Sequence, residues 1–119
     1  MSSLISKHSM SLALLVLACL FGRPALAVTA GEADGWCQLR EDEGKMRLCT
    51  AYLDAVLKGL ASDDSALNGT GVRLCYPADA SLIPVADDLH TYLVQHPDAR
   101  SKSLLDAAAA ALQGRYPCK

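Results

Sequence analysis

Residues 81–97 read Ser81-Leu82-Ile83-Pro84-Val85-Ala86-Asp87-Asp88-Leu89-His90-Thr91-Tyr92-Leu93-Val94-Gln95-His96-Pro97, and their spacing decides the fold class. Leu82, Val85, Ala86, Leu89, Tyr92, Leu93 and His96 return at three- and four-residue steps, the pattern of an amphipathic α-helix. Ser81 is placed to cap its start. Pro84 is acceptable in a first turn whose N–H groups lack internal partners. Pro97 ends the helix, because the residue before a proline avoids the helical basin.

Two more windows carry the same period. From Trp36 to Leu60, the apolar positions are Leu39, Met46, Cys49, Leu53, Val56, Leu57 and Leu60. Charged residues from Arg40 to Lys45 and Lys58 take the other side, and the weak points Asp34-Gly35 and Glu43-Gly44 predict a late start or a bend at Gly44. From Ser101 to Gly114, Leu104, Leu105, Ala108, Ala109 and Leu112 face inward; the alanine run favours helix and Gly114 stops it. Between these windows, residues 61–80 read as a short helical turn at Ser62–Ser65, a flexible turn at Asn68–Gly71 and an extended piece at Val72–Leu74. No window alternates apolar and polar residues. The expectation is an all-α domain over residues 28–119: a small bundle of three to four helices.

The chain has 119 residues, 51% of them hydrophobic and only 5% aromatic, so alanine and leucine must build its core. Its length allows one small domain. With 11 basic against 13 acidic side chains it has no cationic surplus with which to neutralise phosphates, which excludes an electrostatic grip on nucleic acid.

Residues 1–27 read as an export signal. Lys7 and His8 form a polar start, Met10–Phe21 an apolar stretch, Gly22 and Pro24 a break, and Ala25-Leu26-Ala27 a small-x-small cleavage site. Twelve apolar residues fall short of the ~20 that span a bilayer. Val16-Leu17-Ala18-Cys19 loosely resembles a lipoprotein box, but Leu17 is bulky where a small residue is usual. Cleavage after Ala27 removes two cations and no acid, so the formal charge moves from −2 to −4 in a periplasmic product with no membrane segment.

That product keeps Cys37, Cys49, Cys75 and Cys118. An even number in a small exported chain reads as two disulfides, and the spacings hold no close pair of zinc ligands. Spacing does not choose among the three pairings. The expectation carried forward is Cys49–Cys75 nested inside Cys37–Cys118, which would tie the chain ends together.

Little in the sequence reads as chemistry. His90 and His96 point in different directions on one helix, and His90 is three residues from Asp87, a spacing suited to a surface hydrogen bond. His96, on the apolar stripe, is expected to be a packed core histidine. No serine stands in a nucleophile elbow, the cysteines are committed to bridges, and Asp63-Asp64 and Asp87-Asp88 are adjacent acids that diverge. No catalytic, metal or cofactor site is expected. A binding role fits better, since acidic clusters steer a basic partner. The candidate contact residues are Asp63, Asp64, Asn68, Tyr76 and Asp79 in the segment 61–80, with Asp87 and Asp88 extending the acidic field.

Four pieces in order then acquire a meaning: Cys49-Thr50-Ala51-Tyr52-Leu53 with Val56; Cys75-Tyr76-Pro77; Tyr92-Leu93-Val94-Gln95-His96-Pro97; and Ala111-Leu112 with Tyr116-Pro117-Cys118. Together they resemble the Rap/Tai family of type VI secretion immunity proteins, over about Cys37–Cys118. The resemblance implies a small periplasmic all-α protein, often a homodimer, that is not an enzyme and that binds a secreted peptidoglycan amidase effector and blocks its cleft. The quoted pieces read as packing and disulfide residues, so the contact residues above rest on charge and position. The competing expectation is a small disulfide-bonded periplasmic chaperone that exposes its apolar stripes when acid protonates its carboxylates.

Overall fold

The computed structural model describes residues 28–119; the expected export segment and its cleavage site lie outside the described residues. Within them the chain forms α1 (Ala30–Gln38), α2 (Glu43–Ala61), α3 (Ile83–Gln95), a 3₁₀ turn (Pro97–Ser101) and α4 (Leu104–Ala111). Among the described residues there is no strand, only an isolated antiparallel bridge between Thr29 and Ser103. The fold is all-α, as the periodicity predicts.

Each start has a local cause. The Thr29 side chain accepts a hydrogen bond from the Glu32 N–H and opens α1; Asp42 does the same for Lys45 and α2. Ser103 accepts from Asp106 and opens α4. All three satisfy donors that a helix N-terminus leaves orphaned. At α3 the hydroxyl of Ser81 accepts from the Ile83 N–H at 3.2 Å, and Pro84 occupies the first turn. Ser81 therefore holds the entry to the helix from one position further out than expected.

The window 36–60 is two helices, not one. The break falls at Leu39–Asp42, and Gly44 lies inside the first turn of α2. Asp42 caps a new helix there, and the chain reverses, so Leu39 leaves the predicted inward stripe and is 49% exposed. The same reversal corrects the expected disulfides. Cys37 bonds Cys49 and Cys75 bonds Cys118, so the bridges follow one another along the chain rather than nesting. Cys37 in the last turn of α1 meets Cys49 on the antiparallel α2 at a Cα separation of 5.0 Å. Cys75 instead receives the C-terminal segment, where its N–H donates to the Tyr116 carbonyl at 2.7 Å.

The core is aliphatic. Leu53, Val56 and Leu60 of α2, Val85, Leu89 and Leu93 of α3, Leu104 and Leu112 around α4, and Leu74 from the α2–α3 connection are all at most 1% exposed. Buried Ala107, Ala108 and Ala109 put no bulk on α4, which packs against each of the other three helices. The Ala30 N–H donates to the Lys102 carbonyl, and the Leu104 N–H to the Val28 carbonyl, both at 2.9 Å, pinning the start of α1 beside the start of α4. Gly31 lets the Arg100 carbonyl come so close that a Cβ there would lie 3.1 Å from it.

Candidate interaction surface

The connection from Ser62 to Leu82 carries most of the predicted contact residues, and it is tightly organised. Asn68 is its hub. Its amide nitrogen donates to the carbonyls of Leu60, Ser62 and Val72, at 3.2, 3.2 and 2.8 Å. Its Oδ1 accepts from the Thr70 hydroxyl at 2.7 Å and the Thr70 N–H at 3.3 Å. A segment expected to be a flexible turn is thus tied to the end of α2, with Gly71 supplying a positive φ of 78°. The Leu74 N–H donates to the Leu60 carbonyl, and the Arg73 guanidinium to the Ala61 carbonyl. Residues 72–74 form no strand.

On this frame Asp63, Asp64 and Asp79 are exposed, and among the described residues none of them is in an ion pair. Asp64 also shapes the loop: its carboxylate accepts from the Ala66 N–H and its carbonyl from Leu67 and Asn68, closing one turn. Tyr76 is half-buried. Its hydroxyl donates to the Ser81 carbonyl, and its ring meets Tyr116 edge-on at a centroid distance of 4.8 Å. Tyr116 holds a positive φ of 53°, beside the Cys75–Cys118 bridge that fixes it. Burial raises the Tyr76 phenol above its ordinary ionisation range, and the charges of Tyr116 and Asp88 act in the same direction.

Asp87 and Asp88 lie on α3 and both have cationic partners. Asp87 pairs with Arg40 at 2.7 Å, and the same arginine donates through Nε to the Cys37 carbonyl. Asp88 pairs with Arg115 and, by hydrogen bond and charge, raises the guanidinium further above its ordinary range. The structure brings Asp63, Asp64, Asn68, Tyr76 and Asp79 onto one connection and leaves Asp87 and Asp88 in ion pairs with segments on either side.

The histidines depart from expectation. His90 does not bond Asp87: its Nδ1 lies 2.9 Å from the carboxylate of Asp34, which also receives Arg100 Nη1 at 2.9 Å and Gln38 Nε2 at 3.3 Å. Asp34 is the buried charged residue of the described chain, its side chain 3% exposed. The sequence signal was available, since Ala30, Ala33, Asp34 and Cys37 share a helical face, but Asp34-Gly35 reads first as a helix start. His96 is exposed rather than core; its ring stacks on Tyr92 and its Nδ1 donates to the Tyr92 carbonyl at 3.1 Å. The preceding turn of the same helix satisfies it, with no need for burial.

Among the described residues no three His, Cys, Asp or Glu side chains are grouped to hold a metal ion, and no helix is long and apolar enough to cross a membrane. The two disulfides are consistent with an oxidising compartment. These features define a class: a small, disulfide-stapled helical protein with a preorganised loop that presents unpaired carboxylates. The chain belongs to the family of Rap1a immunity proteins, whose sequence model matches residues 29–118. No curated protein and no solved structure matches the chain at the significance required.

Proposed function

We propose that this protein is a periplasmic immunity protein that binds a type VI secreted peptidoglycan amidase and occludes its cleft, making and breaking no bonds itself. The observation that carries this reading is membership of an immunity-protein family over residues 29–118, nearly the whole described domain. The geometry supports it. A loop already ordered by Asn68 and by the Cys75–Cys118 bridge loses little freedom on binding, and preorganisation of that kind improves affinity. Asp63, Asp64, Asp79 and Tyr76 form the contact surface, Asn68 holds it in shape, and Asp87 and Asp88 with their arginines flank it. The carboxylates steer a basic face of the effector toward the loop.

The test is protection in cells. An amidase directed to the periplasm lyses its host, and co-expression of the full chain restores growth. Continued lysis with every peptidoglycan amidase tried, despite abundant exported protein, would overturn the proposal. The chaperone reading predicts instead that the protein keeps unrelated clients from aggregating near pH ~2–3, below the ordinary carboxylate range; no specific feature of the structure favours it.

A further inference from the structure

A cleft of about 280 Å³ opens between α2 and the segment leading into α3. Leu57, Ala61, Tyr76, Ala80 and Leu82 give it apolar walls, and Asp54 and Lys58 also line it. It falls just below the ~300–1,000 Å³ of pockets that enclose small molecules, so it suits one side chain better than a metabolite. The chain segments that supply its lining are acidic. Asp79 stands between the lining residues Ala78 and Ala80, and Asp63 and Asp64 follow shortly after Ala61; all three are exposed and, among the described residues, without ion pairs. The cations of this region are Lys58, paired with Asp54 at 2.8 Å and 78% exposed, and Arg73, whose guanidinium is anchored on the Ala61 carbonyl. Along the chain from Asp54 to Leu82, carboxylates outnumber cations four to two.

An apolar trough with Asp54 in its lining, and with exposed acids next to its lining residues along the chain, matches one side chain in particular. Arginine lays an apolar stem along hydrophobic walls, stacks its planar head on aromatic rings and donates to carboxylates. An exposed pair such as Lys58–Asp54 contributes little stability, so Asp54 can exchange partners at small cost. Anchors of this type, seated in a pocket near the centre of an interface, carry much of the energy of protein association. We infer that this cleft receives an arginine side chain from a basic loop of the effector; the identity of the arginine's owner rests on the proposed function, while the pocket's preference for arginine does not.

Two experiments separate these parts. In the first, N-acetyl-L-arginine amide is titrated into the isotope-labelled, oxidised protein at low salt. Saturable shifts are expected at Leu57, Tyr76, Ala78, Ala80 and Leu82. They should vanish in Asp79→Lys and be absent with the citrulline analogue, which has the same shape and no charge. Equal shifts with citrulline, or none at the cleft, overturn the inference. In the second, Ala80→Trp fills the cleft from an exposed position. At an unchanged melting temperature it should weaken amidase binding roughly thirtyfold, the loss typical of an emptied anchor pocket. If the tryptophan lowers the melting temperature, Asp79→Lys is measured in its place. Full-strength binding by the folded variant overturns the cleft while leaving the proposed function standing. If wild-type protein binds no amidase, the proposed function fails and the arginine titration alone decides the cleft.

Discussion

Asp34 of α1 and His90 of α3 meet with the imidazole Nδ1 2.9 Å from the carboxylate, although 56 residues separate them in sequence. The same carboxylate holds Arg100 of the 3₁₀ turn, so one buried acid ties three segments together. A buried charge is costly unless it is paired and hydrogen-bonded, and Asp34 is both. Its partners stay partly in water, with side chains 40% and 43% exposed, so each alone contributes less than the acid they share.

Asp34→Ala should therefore lower the unfolding free energy by about 1.5–3 kcal/mol, the worth of hydrogen bonds to a charged group, because the partners it leaves behind can turn to water. His90→Ala should cost about 1 kcal/mol or less, as a half-exposed pair does. Denaturant midpoints of the two variants check the order. A His90→Ala loss equal to that of Asp34→Ala would contradict it.

The two disulfides should differ in weight and in accessibility. By loop-closure entropy the bridge spanning 43 residues contributes about 4 kcal/mol and the one spanning 12 about 3 kcal/mol. Cys37 and Cys49 are both buried, whereas Cys75 is exposed. Mild reductant should open Cys75–Cys118 first, and peptide mapping of the half-reduced protein should find Cys37–Cys49 intact. The reverse order would contradict the burial argument.

The helical stripes were legible because each buries a face against neighbours and so repeats every three to four residues. Leu53, Val56, Leu60, Leu89, Leu93, Leu104 and Leu112 all sit where the spacing puts them. The disulfide pairing was not legible, because it depends on one reversal at Leu39–Asp42 that a nearly continuous helical pattern conceals. With that turn unread, Cys37 and Cys49 seem to lie along one helix instead of facing each other across a hairpin. The Asp34 cluster escaped for a related reason. Residues near in sequence supply obvious partners, such as Asp87 for His90, while the true partner arrives only through packing of α1 on α3. The roles of loop residues divide in the same way: the sequence identifies Asn68 as polar and turn-forming, but only the fold turns its amide toward three carbonyls.

Asn68→Ala should cost about 1–3 kcal/mol, since it leaves carbonyl groups of the loop without their donor. Asn68→Asp should be worse, because it sets a carboxylate oxygen against those same carbonyls. Hydrogen exchange should quicken at Leu67–Leu74 in both variants. Unchanged protection there would contradict the role given to Asn68 as the hub of the connection.

Alkaline pH should unsettle the loop through Tyr76. Its phenol is raised above the ordinary 10.0, first by burial and then by the charges of Tyr116 and Asp88. The unfolded chain therefore releases this proton at a lower pH than the folded one. The stabilisation is fully present below about pH 10 and is lost as pH climbs toward the folded value. Phenolate absorbance should show one late-titrating tyrosine that Tyr76→Phe removes, and the variant's stability should fall less steeply above pH 10 than the wild type's. A late tyrosine that persists in Tyr76→Phe would contradict the assignment.

The occlusion proposed for this protein is tested most directly by titrating the oxidised, purified chain into a type VI secreted peptidoglycan amidase while following the release of cross-link fragments. The predicted result is a linear fall in activity that ends at one immunity chain per amidase, with Asp63→Lys/Asp64→Lys slowing association and flattening its salt dependence. Undiminished hydrolysis in the presence of micromolar protein, for every amidase of this class, would contradict it.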